Sequence, residues 1–135
     1  MSQKSATIAL LNSGKVLLLK RGSSAPWQPN KFCLIGGGID RDESLLDAAL
    51  REANEEVGIN LDKNSIKDIT VNYNNGYSKV VFFAEDIKCP IVLNYEHSEY
   101  GWFTYGDCLK MYNQKMLVPR LLCVLKNLFQ KGLIV

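Results

Sequence analysis

Residues 37–59 read GGIDRDESLLDAALREANEEVGI: two glycines, a polar run, then a segment of helical period closed by another glycine. Ser44, with Asp47 three residues on, has the spacing of a capping box at a helix start. Leu46, Leu50, Ala53 and Val57 recur at helical spacing and predict a core-facing stripe. Gly58 stands where a left-handed C-terminal cap belongs. On such a helix Glu52, Glu55 and Glu56 share one face, with Cβ atoms about 5–6 Å apart. Three carboxylates on one face repel one another. Arg51 can pair with Glu55 at i+4, but one arginine does not neutralise three acids, whereas a bound divalent cation does. Clustered oxygen ligands suit the hard ions Mg²⁺ and Mn²⁺. Taken alone, the REANEE run also reads as an ordinary solvated helix face.

Outward from this helix the chain reads as alternating strands and turns. Ser5–Leu11 and Lys15–Arg21 are β-compatible and joined by Asn12-Ser13-Gly14, a hairpin signal. Residues 22–31 hold Pro26, Pro29 and two serines and read as a loop. Phe32–Ile35 reads as one short strand running into Gly36, Gly37 and Gly38. Downstream, Ile69–Tyr73 and Tyr77–Ala84 flank Asn74-Asn75-Gly76, a second hairpin. Trp102–Tyr105 is expected to be a further strand. Pro119 opens a last helix, with Leu121, Leu122, Val124, Leu125, Leu128 and Phe129 on one stripe. The expected class is α/β in the α+β sense, a mixed sheet packed between helices.

At 135 residues the chain is expected to form one domain over 1–135, large enough to need no staples. Hydrophobic content of 47% and charged content of 22% argue against disorder. A net charge of +2 is too small to imply DNA or membrane binding by charge alone. The N-terminal stretch reads as neither signal peptide nor membrane span, and no CxxC pair exists among Cys33, Cys89, Cys108 and Cys123. An intracellular, cytoplasmic protein with free thiols is expected. The single histidine, His97, excludes any site that needs two.

Gly37, five residues, Glu43, seven residues, Arg51-Glu52-Ala53-Asn54-Glu55-Glu56-Val57-Gly58-Ile59: this pattern resembles the Nudix box, G-x5-E-x7-R-E-U-x-E-E-x-G-U, where U is apolar. Every fixed position matches, and Ala53 is a small choice for its apolar slot. The resemblance implies the Nudix fold and hydrolysis of a nucleoside diphosphate linked to another moiety. It implies Mg²⁺, with Mn²⁺ as a substitute, bridging phosphate oxygens and the Glu52, Glu55 and Glu56 carboxylates while water attacks one phosphorus in line. Glu55 and Glu56 are then direct ligands, and Glu52 is a ligand or the base. A backbone contact to the metal is expected at Gly37. Gly36, Gly37 and Gly38 either allow close backbone approach to phosphate or form a plain turn. Glu43 orients Arg51, adds a metal contact, or simply places negative charge at a helix N-terminus.

Residues 95–102, YEHSEYGW, resemble a second family feature, an acidic loop before an aromatic strand that reaches back to the metals. Glu96 and Glu99 are candidate ligands or bases there. His97 lies five residues before Trp102, the offset of the base in GDP-mannose hydrolysing members, although those depart from the standard box and this chain does not. Arg21 is a candidate phosphate contact or a solvated strand end. Ile35 replaces a proline common before the paired glycines, and Phe32 stands where tryptophan is common. Trp27, Phe32, Tyr73, Tyr77 and Tyr105 are candidate base platforms.

The compact chain looks most like MutT-type enzymes of the nucleotide pool, acting on an ordinary or oxidised (deoxy)nucleoside triphosphate as monomer or homodimer. Dinucleoside polyphosphates, ADP-ribose, GDP-sugars and capped RNA are the alternative substrates. A non-catalytic nucleotide-sensing module is an alternative of another class. An isomerase of the isopentenyl diphosphate type, using Cys33, is a third.

Overall fold

The computed structural model describes residues 3–135. Ser5–Asn12 (β1) and Lys15–Arg21 (β2) form the expected hairpin, turning through Ser13 and Gly14 at φ 52° and 76°. Two positive φ values in a two-residue turn match the twist of the flanking strands. β1 and β2 pair only beside that turn, Leu11 with Val16 and Asn12 with Lys15, and then diverge. Residues 32–38 fill the wedge. Phe32–Cys33 (β3) pair with β2, and Ile35–Gly38 (β4) pair with β1, from Ser5 opposite Gly38 to Ile8 opposite Ile35. The single strand expected over Phe32–Ile35 is thus two, broken at Leu34, because each part bonds a different diverging strand.

Leu45–Val57 (α1) starts where the sequence predicts, the Ser44 hydroxyl accepting from the Asp47 N–H at 3.1 Å. The Asp47 carboxylate instead takes Lys63 Nζ at 3.1 Å. Gly58 ends the helix at φ 73°, donating to the Ala53 and Asn54 carbonyls. The buried face is Ala48, Ala49, Ala53, Glu56 and Val57; Leu46 and Leu50 are half-buried flanks rather than the expected stripe. Three alanines let the helix axis lie close on the sheet, and the rotation that does so turns Glu56 inward.

A single 3-10 turn at Lys63–Ser65 leads to Lys67–Asn72 (β5) and Ser78–Ala84 (β6), the second hairpin, with Gly76 at φ 82°. β6 lies parallel to β1, Ile8 beside Phe82. His97–Phe103 (β7) pairs along β2, so the last strand starts well before Trp102 and stops before Tyr105. Tyr105–Asn113 (α2) is a helix where the sequence predicts the end of a strand, opened by a full capping box between Thr104 and Asp107. Leu121–Gln130 (α3) follows Pro119, with Arg120 at φ 69° as its N-terminal flank. Its buried stripe is Leu121, Val124, Leu125 and Leu128, while Leu122 is half-buried and Phe129 stacks on Tyr105 at 4.5 Å near the surface.

The strand order is β3-β2-β1-β6-β5, with β4 also on β1 and β7 also on β2. One core layer, including Ile8, Leu10, Leu17, Leu19 and Val57, lies between sheet and α1. The other, including Leu18, Val71, Phe83, Cys108 and Leu125, lies between sheet and α2 with α3. This is the expected mixed sheet between helices. The four cysteines are free. Among the described residues no helix is long and apolar enough to cross a membrane.

Candidate functional site

Arg51 is the centre of the acidic face of α1. Its Nε and Nη2 donate to the two Glu43 oxygens at 2.9 and 3.0 Å, and its Nη1 donates to Glu52 Oε1 at 3.0 Å. Nη1 also reaches Glu55 at 3.3 and 3.4 Å, and Nη2 takes the Gly38 carbonyl at 2.9 Å. Asp40 adds a carboxylate at 3.3 Å from Nε. Of the three readings of Glu43, its place beside the guanidinium supports the one in which it orients Arg51. The Arg51 hydrogen bonds, then the Asp40 N–H at 2.9 Å, hold the Glu43 carboxyl below its ordinary range.

Glu56 points the other way, under the sheet, and is 4% exposed. Burial raises its pKa well above the carboxylate range; its hydrogen bond with Glu52 and the charges of Glu52 and Glu96 raise it further, against the Gly36 N–H. A carboxylate beside it in a desolvated place disfavours the ionised form of Glu56.

A hard divalent cation beside these two carboxylates would favour the ionised form of Glu56, so the pair fits such an ion. Glu55 does not join the pair: it is turned outward, its side chain 53% exposed, and Arg51 holds it. Among the described residues no group of three or more His, Cys, Asp or Glu side chains is arranged to hold a metal ion. The donor set present is therefore the Glu52–Glu56 pair beside β4, with Glu55 at its rim.

The three glycines form neither a turn nor a free phosphate loop. They lie in paired strand β4, and none has a positive φ. A Cβ at Gly36 would come 2.6 Å from the Ala6 carbonyl oxygen, and one at Gly37 would come 2.6 Å from Glu52 Cδ. The smallness of these residues therefore serves the close approach of β1 at Gly36 and of the Glu52 carboxylate at Gly37. Two substitutions separate these roles. Gly36→Ala meets backbone and is expected to cost about 1–3 kcal/mol of stability. Gly37→Ala meets the far end of a side chain. It is expected to change stability by less than about 1 kcal/mol while moving Glu52 and lowering turnover about tenfold. Thermal melts beside rate measurements check both, and a Gly37→Ala protein with full turnover contradicts the placement of Glu52.

The turn before β7 is tied to the end of α1: Val92 and Asn94 donate backbone N–H groups to the Val57 and Glu56 carbonyls at 3.0 and 3.1 Å. This brings Glu96 and His97 to the pair. His97 Nε2 lies 3.7 Å from Glu56 Oε1 and 3.8 Å from Cys33 Sγ, and Asn94 Oδ1 lies 3.1 Å from its Nδ1. Burial lowers the His97 pKa, partly opposed by Glu96. Glu56 is protonated and His97 neutral at neutral pH, so this is a polar contact rather than an ion pair. Contrary to the loop expected over residues 95–102, His97 and Glu99 stand on β7 itself. Glu99 is exposed and faces Lys20 at 4.0 Å, away from the pair. Cys33 is buried on β3, its Sγ donating to the Leu19 carbonyl at 3.4 Å, and burial, reinforced by Glu56, pushes its pKa up to about 12. Such a thiol is not a nucleophile at neutral pH.

Glu56, Glu96, His97, Gly36 and Gly37 all open onto one cleft of about 730 Å³. Arg21 lines it too, its Nε donating to the Trp27 carbonyl at 2.7 Å and its guanidinium over the Trp27 ring at 5.2 Å. Tyr73 and Tyr77 reach the cleft, whereas Phe32 is buried against Phe103 and Tyr105 is stacked on Phe129. The sequence reading missed Asn94, which carries no spacing signal. It also missed Lys79 and Arg120 in the cleft wall. Lys79 had one, being the lysine in step with Val81 and Phe83.

The NUDIX domain model matches residues 1–125. The chain is 28% identical over 106 residues to the nucleoside triphosphatase NudI of Enterobacter sp. (strain 638), covering 69% of this chain and 75% of that protein. A stretch of 52 residues is 48% identical to the m7GpppN-mRNA hydrolase NUDT17 of Danio rerio, which covers 38% of this chain but only 17% of that protein's length. The MutT protein from Methanosarcina mazei Go1 has a similar structure, with a TM-score of 0.73 at 25% identity over 95% of this chain and 93% of that one. With its box filled at every fixed position and nearly its whole length matched, the chain belongs to the NUDIX domain family.

Proposed function

We propose that this chain is a divalent-metal-dependent pyrophosphohydrolase whose substrate is a nucleoside or deoxynucleoside triphosphate. The observation that carries this reading is buried Glu56 on the wall of a nucleotide-sized cleft, with Glu52 beside it and Arg51 bonded to Glu52. A cation held by that pair supplies charge neutralisation for phosphate oxygens and Lewis acidity toward water. Arg51 holds Glu52 in place. Glu52 would take the proton of an attacking water or serve as a ligand, and Glu56 would be a ligand to the cation. Water adds to one phosphorus, the bridging P–O bond breaks, and the leaving phosphate carries away the bond pair. Arg21, braced on Trp27, is placed at the cleft mouth for a phosphate oxygen. The likeness to a nucleoside triphosphatase over most of its length supports a triphosphate.

The test is release of phosphate or pyrophosphate from dNTPs, 8-oxo-dGTP, ADP-ribose, GDP-mannose and Ap4A at rising Mg²⁺. Metal-dependent release from a triphosphate, about 10²-fold or more above the metal-free rate, is expected. Release from ADP-ribose or Ap4A alone keeps the enzyme and changes its substrate. No release from any of them overturns the hydrolase reading.

A further inference from the structure

β6 breaks its own alternation at Lys79. Val81 and Phe83 face the core under α2 and α3, and with a two-residue period Lys79 faces the same way. It pairs across the hairpin with Val71, a fully buried core residue, and is itself half-buried. Among the described residues no acid or acceptor partners its ammonium. Burial alone pulls its pKa below the usual lysine value. A lysine at a core-facing position without a partner is costly to keep, and this one opens into the cleft that also holds Glu56.

Around it stand Thr7 on β1, and Tyr73 with the Arg120 guanidinium 5.8 Å from its ring centroid. Burial, and not the charge of Glu52 or Glu56, is what shifts Lys79. Glu56 and Lys79 line one cleft, so a nucleotide whose phosphates sit at Glu56 would extend its other end along it toward Lys79. The group that Lys79 meets is then the base.

The chemistry of an ammonium narrows the base. It has three donors and no acceptor. Guanine offers it O6 and N7, and uracil or thymine O4, whereas adenine and cytosine present an amino donor at the equivalent place. Resting on the nucleotide reading above, we propose that Lys79 is a specificity residue that reads the base edge and selects a keto base (guanine, uracil or thymine) over an amino base.

Equilibrium binding of the α,β-methylene analogues of GTP, ATP, UTP and CTP in Mg²⁺, measured by titration calorimetry, tests this without turnover. Failure of the hydrolase reading therefore leaves the test intact. The natural chain is expected to bind the GTP or UTP analogue about tenfold more tightly than its amino counterpart. Lys79→Met is expected to bring that ratio to about one, and Lys79→Arg, which keeps a donor-only cation, to retain it. Removing a half-buried charge should leave the Lys79→Met melt no lower than the natural chain's, so a folding defect does not obscure the result. No keto preference in the natural chain, a preference untouched by Lys79→Met, or no binding of any analogue overturns the proposal. Equal weakening of all four analogues by Lys79→Met also overturns it, and assigns the lysine to a phosphate.

Discussion

Glu56→Gln is expected to lower metal-dependent turnover by about 10³-fold while melting no lower than the natural chain. The two effects separate because the two states of this carboxyl serve different ends. In the metal-free fold Glu56 is buried and holds a proton, which a glutamine amide imitates: it can donate to Glu52 and accept the Gly36 N–H. On the proposed reading Glu56 would be ionised to hold a cation, and glutamine cannot be. Stability against pH gives a second readout. The folded pKa of Glu56 lies above its unfolded value, so above the ordinary carboxylate range the native state keeps a proton that the unfolded chain has lost. Stability then falls as pH rises through that window. In chelator, the natural chain's melting temperature should fall between about pH 7 and 9, where His97 is neutral in both states, and Glu56→Gln should flatten the slope. Saturating Mg²⁺ should flatten it too. Full turnover in the variant, or equal slopes in chelator, would show that Glu56 is not the buried acid of the site.

What the sequence made legible was whatever is written locally. The ends of α1 follow from Ser44 and Gly58, and both hairpins follow from Asn-Ser-Gly and Asn-Asn-Gly turns. The box places Arg51, Glu52, Glu55 and Glu56 on one helix. What it did not disclose depends on partners far along the chain. β7 is an edge strand whose residues 98–100 are exposed, so it has no alternation to read, and its pairing with β2 alone makes it a strand. α2 carried its signal in Thr104 and Asp107, but the aromatic run over Trp102–Tyr105 read as a strand. On α1, Ala53 and Val57 are buried as expected and Leu46 packs at the edge of that core, but Ala48 and Ala49 were passed over for Leu50, because leucine outweighs alanine in a hydrophobic stripe whereas close packing on a sheet favours the smaller side chain. The meeting of Cys33, Glu56 and His97 rests on the anchoring of Asn94 to the end of α1, which no motif announces.

Arg51→Met is expected to cost about 2–4 kcal/mol and to lower the melting temperature by about 5–15 °C. The box arginine has the appearance of a surface residue, yet its side chain is only 26% exposed and lies among four carboxylates. Glu43 and Glu52 are 15% and 14% exposed with the guanidinium over them, so its removal leaves them repelling each other and Glu55 and Asp40. Arg51→Lys should recover only part of the loss, because a single ammonium cannot bridge both Glu43 oxygens, Glu52 and the Gly38 carbonyl together. Lys63→Met, at an exposed pair with Asp47, is the control, expected to stay within about 0.5 kcal/mol. Turnover of Arg51→Met should fall about 10²-fold, since Glu52 loses the group that fixes its orientation. Mg²⁺ distinguishes a scaffold from a simple surface charge. If the carboxylates are what the missing arginine leaves unbalanced, saturating Mg²⁺ should raise the melt of Arg51→Met more than that of the natural chain. An Arg51→Met protein that melts with the natural chain, or that gains no more from Mg²⁺, would mean that Arg51 is not what keeps these carboxylates assembled.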